Sequence, residues 1–306
     1  MSCSLCPRKC NADRDARRGY CGASRGVEAA TVCLHRGEEP PISGTKGIVN
    51  VFFTHCNLQC LYCQNHAISG RDVNPSLARF GSVEAIATEV ERLLPASEGA
   101  VGFVTPSHCP EAVIGVVERL HSDGFEPTVV YNTGGYDSIE TLRQLEPYVD
   151  IYLPDFKYAN AALASRLSHA PDYPDVALRA LREMYRQKGS GLLLDDRGMA
   201  YRGMIVRHLV LPGHVDNSLA ALDMLCDALP LNLHISLMAQ YFPPADCGQL
   251  LQAGEPELCR TLSAEEYALV ANRYDELGYY NGWLQELSAE ANYRPDFSRN
   301  TNPFEQ

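Results

Sequence analysis

The chain has 306 residues, enough for one α/β barrel with small additions, and its hydrophobic content of 45% is ordinary for a globular protein. Its 26 Lys and Arg against 38 Asp and Glu leave a net charge of −12, which argues against a general nucleic-acid-binding surface. The sequence has neither a signal-peptide-like start nor a run of 18 apolar residues, so we expect a cytoplasmic protein without a membrane contact.

Twelve cysteines in a reducing compartment predict metal binding rather than a disulfide framework. Seven of them fall into two spaced groups within the first 63 residues. The other five are dispersed, and we interpret them, including Cys226 on an apolar helix face, as small buried residues.

In chain order, residues 1–47 show no long periodicity and are predicted to form a small metal-tied module. From residue 48 onwards, short apolar runs alternate with amphipathic segments of helix length, which is typical of repeated βα units. The predicted strands are 48–54, 100–105, 127–132, 149–155, 204–211 and 231–237. The predicted helices are 83–94, 111–122, 138–145, 175–187, 218–229 and 264–277, with a hairpin at 191–201.

Six βα units are too few to close an eight-stranded barrel, so the sequence predicts an α/β fold with a partial, TIM-like (βα)6 barrel whose ligands enter at the carboxyl ends of the strands. The predicted domains are a cysteine-rich module at 1–47, the barrel at 48–240, and an irregular C-terminal extension at 241–306 that packs on the barrel.

Directly after the first predicted strand, Cys56, Cys60 and Cys63 follow the spacing Cys-x3-Cys-x2-Cys. Three thiolates in one loop can bind three irons of a 4Fe-4S cluster and leave the fourth iron open to a small molecule. The alternatives are a zinc knuckle or buried loop thiols, although zinc motifs usually supply four ligands in paired spacings. The position of the loop at the end of a barrel strand favours a catalytic site.

This stretch resembles the radical S-adenosylmethionine (SAM) signature, and Asn65 follows it as in the pyruvate formate-lyase activating enzymes. The resemblance implies a 4Fe-4S cluster and SAM as cofactors, with Tyr62 beside the adenine. It implies an oxidoreductase that takes single electrons from a flavodoxin or ferredoxin. Such an enzyme cleaves SAM to a 5′-deoxyadenosyl radical, which abstracts hydrogen from a substrate.

Later strands carry further counterparts of activating-enzyme motifs. Asp155 and Lys157 share one face by alternation and resemble a motif that holds the polar end of SAM. Asn132, where the family has an acidic residue, and Arg207, in a strand before Pro-Gly, are further implied SAM contacts. Gln240 falls near the position of a family histidine.

The second predicted strand departs from the family pattern. Where the activating enzymes have a Gly-Gly-Glu motif for the SAM amino group, this chain continues from Val104 with Thr105, Pro106, Ser107 and His108. Thr105 and Ser107 offer hydroxyl oxygens for the same contact, because hydroxyls accept as well as donate hydrogen bonds. His108 is interpreted as either a catalytic or a structural histidine.

Near the start of the chain, Cys3, Cys6, Cys10 and Cys21 supply four thiolates, enough for a complete metal ligand shell. They indicate a second 4Fe-4S cluster or a zinc ion. The pattern resembles the cysteine-rich head of one branch of activating-enzyme-like proteins, a resemblance that covers nearly the whole chain.

Three hypotheses for the function remain open at this point. The substrate is either the backbone glycine of a glycyl radical enzyme, or a small molecule, peptide or nucleotide modified with the help of the N-terminal metal centre. The third hypothesis is a non-enzymatic metal-binding module that senses redox state.

Overall fold

The computed structural model describes residues 2–288, 294–299 and 302–304. The strands are β1 Ala29–His35, β2 Ile48–Phe53, β3 Ala100–Val104, β4 Thr128–Thr133, β5 Ile151–Pro154, β6 Leu193–Leu194, β7 Ala200–Leu209, β8 His234–Met238 and β9 Gly282–Leu284. The α-helices are α1 Pro40–Ser43, α2 His66–Ser69, α3 Val83–Leu93, α4 Pro110–Ser122, α5 Ile139–Leu145, α6 Ala161–Ser168, α7 Tyr173–Lys188, α8 Val215–Ala228, α9 Gly248–Gln252 and α10 Ala264–Glu276.

The strands form one sheet in the order β1-β2-β3-β4-β5-β7-β8-β9, and β6 pairs with β7 as the predicted hairpin. Every pairing from β2 to β8 along this path is parallel. Within the described residues the sheet does not close on itself, because β1 and β9 are its two edges. The predicted partial barrel with six βα units is therefore confirmed.

The two faces of the barrel sheet bury different residues. On the outer face, side chains such as Val51 and Phe103 pack against the helices. On the inner face, Ile48, Ile151 and Ile205 form an apolar layer at the amino ends of the strands. The interior is thus filled at its base, and space for a ligand lies towards the carboxyl ends.

Strand β1 lies within the segment in which the sequence analysis found no strand. It pairs antiparallel with β2, and its run Ala-Ala-Thr-Val-Cys-Leu-His is almost continuously buried, so it lacks the alternation that marks a half-exposed strand. After β1 the chain passes under the barrel, where Ile42 of α1 joins the inner apolar layer.

The end of the described chain returns to the edge strand β1. Asn302 donates its side-chain amide to the carbonyl of Leu34 at 2.6 Å, and the ring of Phe304 lies 4.3 Å from that of His35. Residues 305–306, part of the tail expected to pack on the barrel, lie outside the described residues. No helix in the ranges that the structure describes is long and apolar enough to span a membrane.

Candidate active site

The cysteine loop begins where β2 ends, and left-handed backbone at two positions lets it turn tightly. His55 has a φ of 69° and Gln59 a φ of 63°, values that non-glycine residues adopt only when their surroundings hold them. The His55 ring lies between the carbonyl of Gly70, at 3.0 Å, and a carboxylate oxygen of Glu28, at 3.1 Å. The Gln59 amide donates to the carbonyl of Ser69 at 3.1 Å, which ties the loop to α2.

The three cysteines of this loop are half-buried free thiols that affect one another electrostatically. Burial, followed by the neighbouring Cys60, raises the pKa of Cys56 to about 12. Hydroxyl groups donate to the other two sulfurs: Ser168 to Cys60 at 3.0 Å and Ser69 to Cys63 at 3.2 Å. Because hydrogen bonds to cysteine sulfur tune iron–sulfur centres, this donor set fits a cluster.

All three thiols line one cavity of about 430 Å³ at the carboxyl ends of the strands. The other predicted site residues that line it are Tyr62, Asn65, Thr105, Asn132, Asp155, Lys157, Arg207 and Gln240. The structure therefore brings together on one cavity residues that are spread over more than 180 positions of the sequence.

Asp155, Lys157 and Arg207 form a half-buried ion-paired group beside the cysteine loop. One carboxylate oxygen of Asp155 accepts from Lys157 Nζ at 2.5 Å and the other from Arg207 Nε at 3.0 Å. Arg207 also donates to Asn132 Oδ1 at 2.5 Å and pairs with Glu38 at 3.2 Å. The guanidinium thus joins β4, the end of β5 and the segment that follows β1.

The pKa shifts keep this group charged. Burial alone would raise the pKa of Asp155, but Lys157 and Arg207 outweigh it and lower that pKa. Burial alone would lower the pKa of Lys157, yet Asp155 and then Cys60 raise it. A carboxylate and two cations therefore stand side by side within reach of the cysteine loop.

Tyr62 and Asn65 lie close to the sulfurs in different ways. The hydroxyl of Tyr62 is buried against that of Tyr158 at 2.7 Å, and Tyr158 in turn contacts Ser168, the donor to Cys60. Asn65 donates its backbone N–H to the Cys63 sulfur. The side-chain amide of Gln285 donates a hydrogen bond to Oε1 of Gln240 at 2.8 Å, so the Gln240 side chain is oriented before any ligand binds.

In the segment after β3, the residue before Pro106 faces the cavity and the residues after it do not. Thr105 has a φ of 61°, rare for a β-branched residue, and lies on the cavity wall. Ser107 instead directs its hydroxyl to Thr133 at 2.9 Å and is not among the cavity-lining residues. His108 is also off the cavity, and burial, with Arg14 next, lowers its pKa to about 3.

Sequence reasoning missed three titratable residues of the cavity: His35, Glu38 and Glu39. Glu38 accepts from the side-chain amide of Asn50 at 2.9 Å and from that of Asn132 at 3.3 Å. The only sequence signal for Glu38 and Glu39 was their position before Pro40. Two acidic residues before a proline indicate the start of a helix, but they do not indicate that the helix lies under a barrel.

The four N-terminal cysteines come together as a second group outside this cavity. Cys6 is buried, and burial together with the neighbouring Cys21 and Cys3 raises its pKa to about 11. Cys10 hydrogen-bonds with Cys3, and all four are free thiols. In the part of the chain that the structure describes, no three His, Cys, Asp or Glu side chains are arranged to bind a single metal ion.

Arg8 and Asn57 join the N-terminal group to the cysteine loop. Arg8 donates to the backbone carbonyls of Asn57 at 2.8 Å and Ser168 at 2.9 Å, and its guanidinium stacks 4.3 Å from the ring centre of Tyr20. The side chain of Asn57 hydrogen-bonds with Cys6, while its neighbour in sequence is Cys56. Asn57 therefore links the N-terminal cysteines to the cysteine loop, because it contacts Cys6 and directly follows Cys56.

No family model matches the chain. The chain is 27% identical over 271 residues to an uncharacterized protein of Methanocaldococcus jannaschii, covering 87% of this chain and 72% of that protein. Among solved structures, it is similar to a domain of pyruvate-formate lyase-activating enzyme from Bacteroides vulgatus, with a TM-score of 0.43 and 15% identity over 61% of this chain and 99% of that chain. It is also similar to SuiB of Streptococcus suis bound to its precursor peptide SuiA, with a TM-score of 0.48 and 9% identity over 81% of this chain and 51% of that chain. In the cysteine loop and in the open barrel that presents it, the chain resembles the radical SAM superfamily and its pyruvate formate-lyase-activating branch.

Proposed function

We propose that this chain is a radical SAM enzyme that binds a 4Fe-4S cluster through Cys56, Cys60 and Cys63. The observation that carries the proposal is that these three thiols and the ion-paired group around Asp155 line the same cavity. When bound, the cluster and SAM supply the reductive cleavage that gives a 5′-deoxyadenosyl radical, and the substrate loses a hydrogen atom to it.

The chain's own residues would bind and orient the cofactor. Lys157, held charged by Asp155, suits the carboxylate of SAM, and Arg207 is a second cation beside it. Asn132 and Thr105 present polar atoms on the same wall. Because the cavity is recessed in the barrel, these groups act away from bulk water, where their electrostatic effect is stronger.

The N-terminal cysteines are proposed to hold a second metal centre, either a 4Fe-4S cluster or zinc. None of the four is among the residues that line the cavity, whereas Asn57 and Arg8 connect them to the cysteine loop. This arrangement supports a role in passing electrons to the loop or in holding it, rather than contact with the substrate. Metal analysis of Cys6→Ser separates the two ions, since it should lose either iron or zinc.

The electron donor is proposed to be a flavodoxin or ferredoxin, and the substrate is either a glycyl radical enzyme or a smaller molecule. Mixing the reduced, SAM-bound enzyme with candidate glycyl radical enzymes tests the first substrate, with an electron paramagnetic resonance signal of a glycyl radical as the expected result. Failure across such partners favours the smaller molecule.

The decisive test is anaerobic reconstitution followed by measurement of 5′-deoxyadenosine. The wild-type enzyme with a reductant should form it, and Cys60→Ala should not. Cys226→Ala, which removes a half-buried thiol of α8, is the matched control and should retain activity. A triple Cys56, Cys60 and Cys63 to Ala variant that still cleaved SAM would overturn the proposal, as would an iron-loaded wild-type enzyme that never does.

A further inference from the structure

The inner face of the barrel changes from apolar to polar one layer above its base. The base layer is aliphatic and includes Ile42 and Ile48. The next positions carry polar groups that contact one another: Asn50, Asn132, Arg207 and Ser236, together with Glu38 from below. Except for Asn50, the residues of this second layer line the cavity and form its floor, on the side away from the cysteine loop.

Glu39 contributes a carboxylate to this floor that is not fully used. The residue is only 8% exposed and lines the cavity. The hydroxyl of Ser236 hydrogen-bonds with the carboxylate, but Oε2 has no hydrogen-bond partner among the described residues. Burial, opposed by Arg207, raises the pKa of Glu39. A buried carboxylate oxygen without a donor is costly, so its presence on a cavity wall calls for a ligand.

His35 lines the same cavity from β1 and shows the same feature. It is 8% exposed, lines the cavity, and its Nδ1 has no partner in the ranges that the structure describes. Burial outweighs the opposing effect of Glu38 and lowers the pKa of His35, which favours the neutral ring. Phe52 and Phe304 hold the ring in place at centroid distances of 6.4 Å and 4.3 Å.

The charges around the floor leave room for one more cation. Three carboxylates, those of Glu38, Glu39 and Asp155, face two cations, Lys157 and Arg207. Arg207 is already bonded to Glu38 and Asp155, and Lys157 to Asp155. A ligand that brought a protonated nitrogen to Glu39 would supply the missing donor and would stabilise the carboxylate form that burial disfavours.

The position of Glu39 separates it from the cysteine loop. Its partner Ser236 lies in β8, four residues before Gln240, whose carbonyl accepts from Gln64 of the cysteine loop at 2.8 Å. At about 3.3 Å per residue, four residues of extended chain correspond to roughly 13 Å. Its contact with Ser236 thus places Glu39 on the β8 side of the cavity, at a distance from the cysteine loop.

We propose that Glu39 and His35 bind the substrate, and that the substrate is a small molecule carrying a protonated amino or guanidino group. This inference rests on the proposed function, because that function places hydrogen abstraction in this cavity. Glu39 supplies the charge and one acceptor, and His35 supplies a second, neutral hydrogen-bonding atom next to aromatic walls.

The test uses the anaerobically reconstituted enzyme with SAM, and measures binding of putrescine, agmatine and the uncharged comparator 1,4-butanediol by equilibrium dialysis. The wild-type enzyme should bind at least one of the two cations about tenfold or more tightly than the diol. Glu39→Gln, which keeps the shape and removes the charge, should abolish that preference while changing SAM affinity by less than about twofold. Ser236→Ala, which leaves the Glu39 carboxylate in place, should keep the preference.

Glu126→Gln, a change of an exposed carboxylate between α4 and β4, is the matched control and should behave as wild type. Iron content and melting temperature of each variant show whether it has folded. The inference is overturned if no cation binds better than the diol to the wild-type enzyme, or if Glu39→Gln weakens SAM as much as the amine, which would assign the carboxylate to the SAM amino group. Failure of the proposed function looks different, because the wild-type enzyme would then neither bind SAM nor form 5′-deoxyadenosine.

Discussion

Replacing Gly102 by Ala should destabilise the chain through one identifiable clash. Gly102 lies on the inner face of β3, and an added Cβ would stand 2.0 Å from Oδ1 of Asn50 and 3.2 Å from Cδ1 of Ile48. No heavy-atom contact of 2.0 Å is tolerated, so the Asn50 side chain must move. It can do so only by giving up its 2.9 Å hydrogen bond to Glu38.

The magnitude follows from these two effects. Overpacking a core position costs about 1–3 kcal/mol, and losing a hydrogen bond to a charged group costs about 1.5–3 kcal/mol. Because the two effects share one side chain, we expect Gly102→Ala to lower the free energy of unfolding by about 3 kcal/mol. Asn50→Ala alone should lower the free energy of unfolding by about 2 kcal/mol. In the double variant the clash is gone together with the Asn50 side chain, so the loss should again be about 2 kcal/mol. The two substitutions should therefore be coupled by about 3 kcal/mol.

The assay is equilibrium urea unfolding of the four proteins under anaerobic, reducing conditions. The fluorescence of Trp283, the one tryptophan of the chain, and far-ultraviolet circular dichroism should give coincident transitions. Gly81→Ala is the matched control, because an added Cβ there meets nothing within 4 Å, and it should change stability by less than about 0.5 kcal/mol. Additive effects of the two substitutions, or a Gly102→Ala variant as stable as wild type, would refute the reasoning.

Three further predictions concern other parts of the chain. Burial lowers the pKa of His208 to about 4 against an ordinary value near 6.5, so the unfolded chain takes up a proton first as the pH falls between these values and stability is lost. His208→Gln should reduce the loss of unfolding free energy between pH 7 and pH 5 by about 2 kcal/mol, as measured by urea unfolding at each pH. The same loss in the variant and in the wild type would contradict this. Arg8→Ala should speed iron release to a chelator several-fold, whereas Arg25→Ala, which breaks only an exposed ion pair, should not; equal rates would contradict the bridging role. Asp155→Asn removes the carboxylate that holds the half-buried Lys157 and Arg207 in place and should weaken SAM binding about tenfold or more in anaerobic dialysis, so an unchanged dissociation constant would remove Asp155 from the SAM site.

The βα units and the cysteine loop were predictable because their signals are local. Amphipathic periodicity marks α4, whose Val113, Val116, Val117 and Leu120 are buried on one side. Three cysteines within eight residues identify a thiol loop wherever the loop lies. Both signals depend on neighbours in sequence, which a single chain displays directly.

The floor of the cavity was not predictable because it depends on contacts distant in sequence. Glu38 and Glu39 reach the interior only because β1 pairs antiparallel with β2 and the following turn passes under the barrel. The position of Ser107 also depends on such contacts, since the left-handed backbone at Thr105 turns the next residues away from the cavity. The roles of the Thr105 and Ser107 hydroxyls as SAM contacts remain predictions.

The contact between Leu34 and Asn302 joins positions 268 residues apart, and the rings of His35 and Phe304 meet beside it. Bringing such distant positions together is entropically slow, so this seam is expected to be among the last parts of the molecule to form during folding. Phe304 lines the cavity at the carboxyl ends of the strands, so this side of the cavity closes only when the contact forms. For the cluster proposed at the cysteine loop, this order of folding would leave a period in which iron and sulfide can enter.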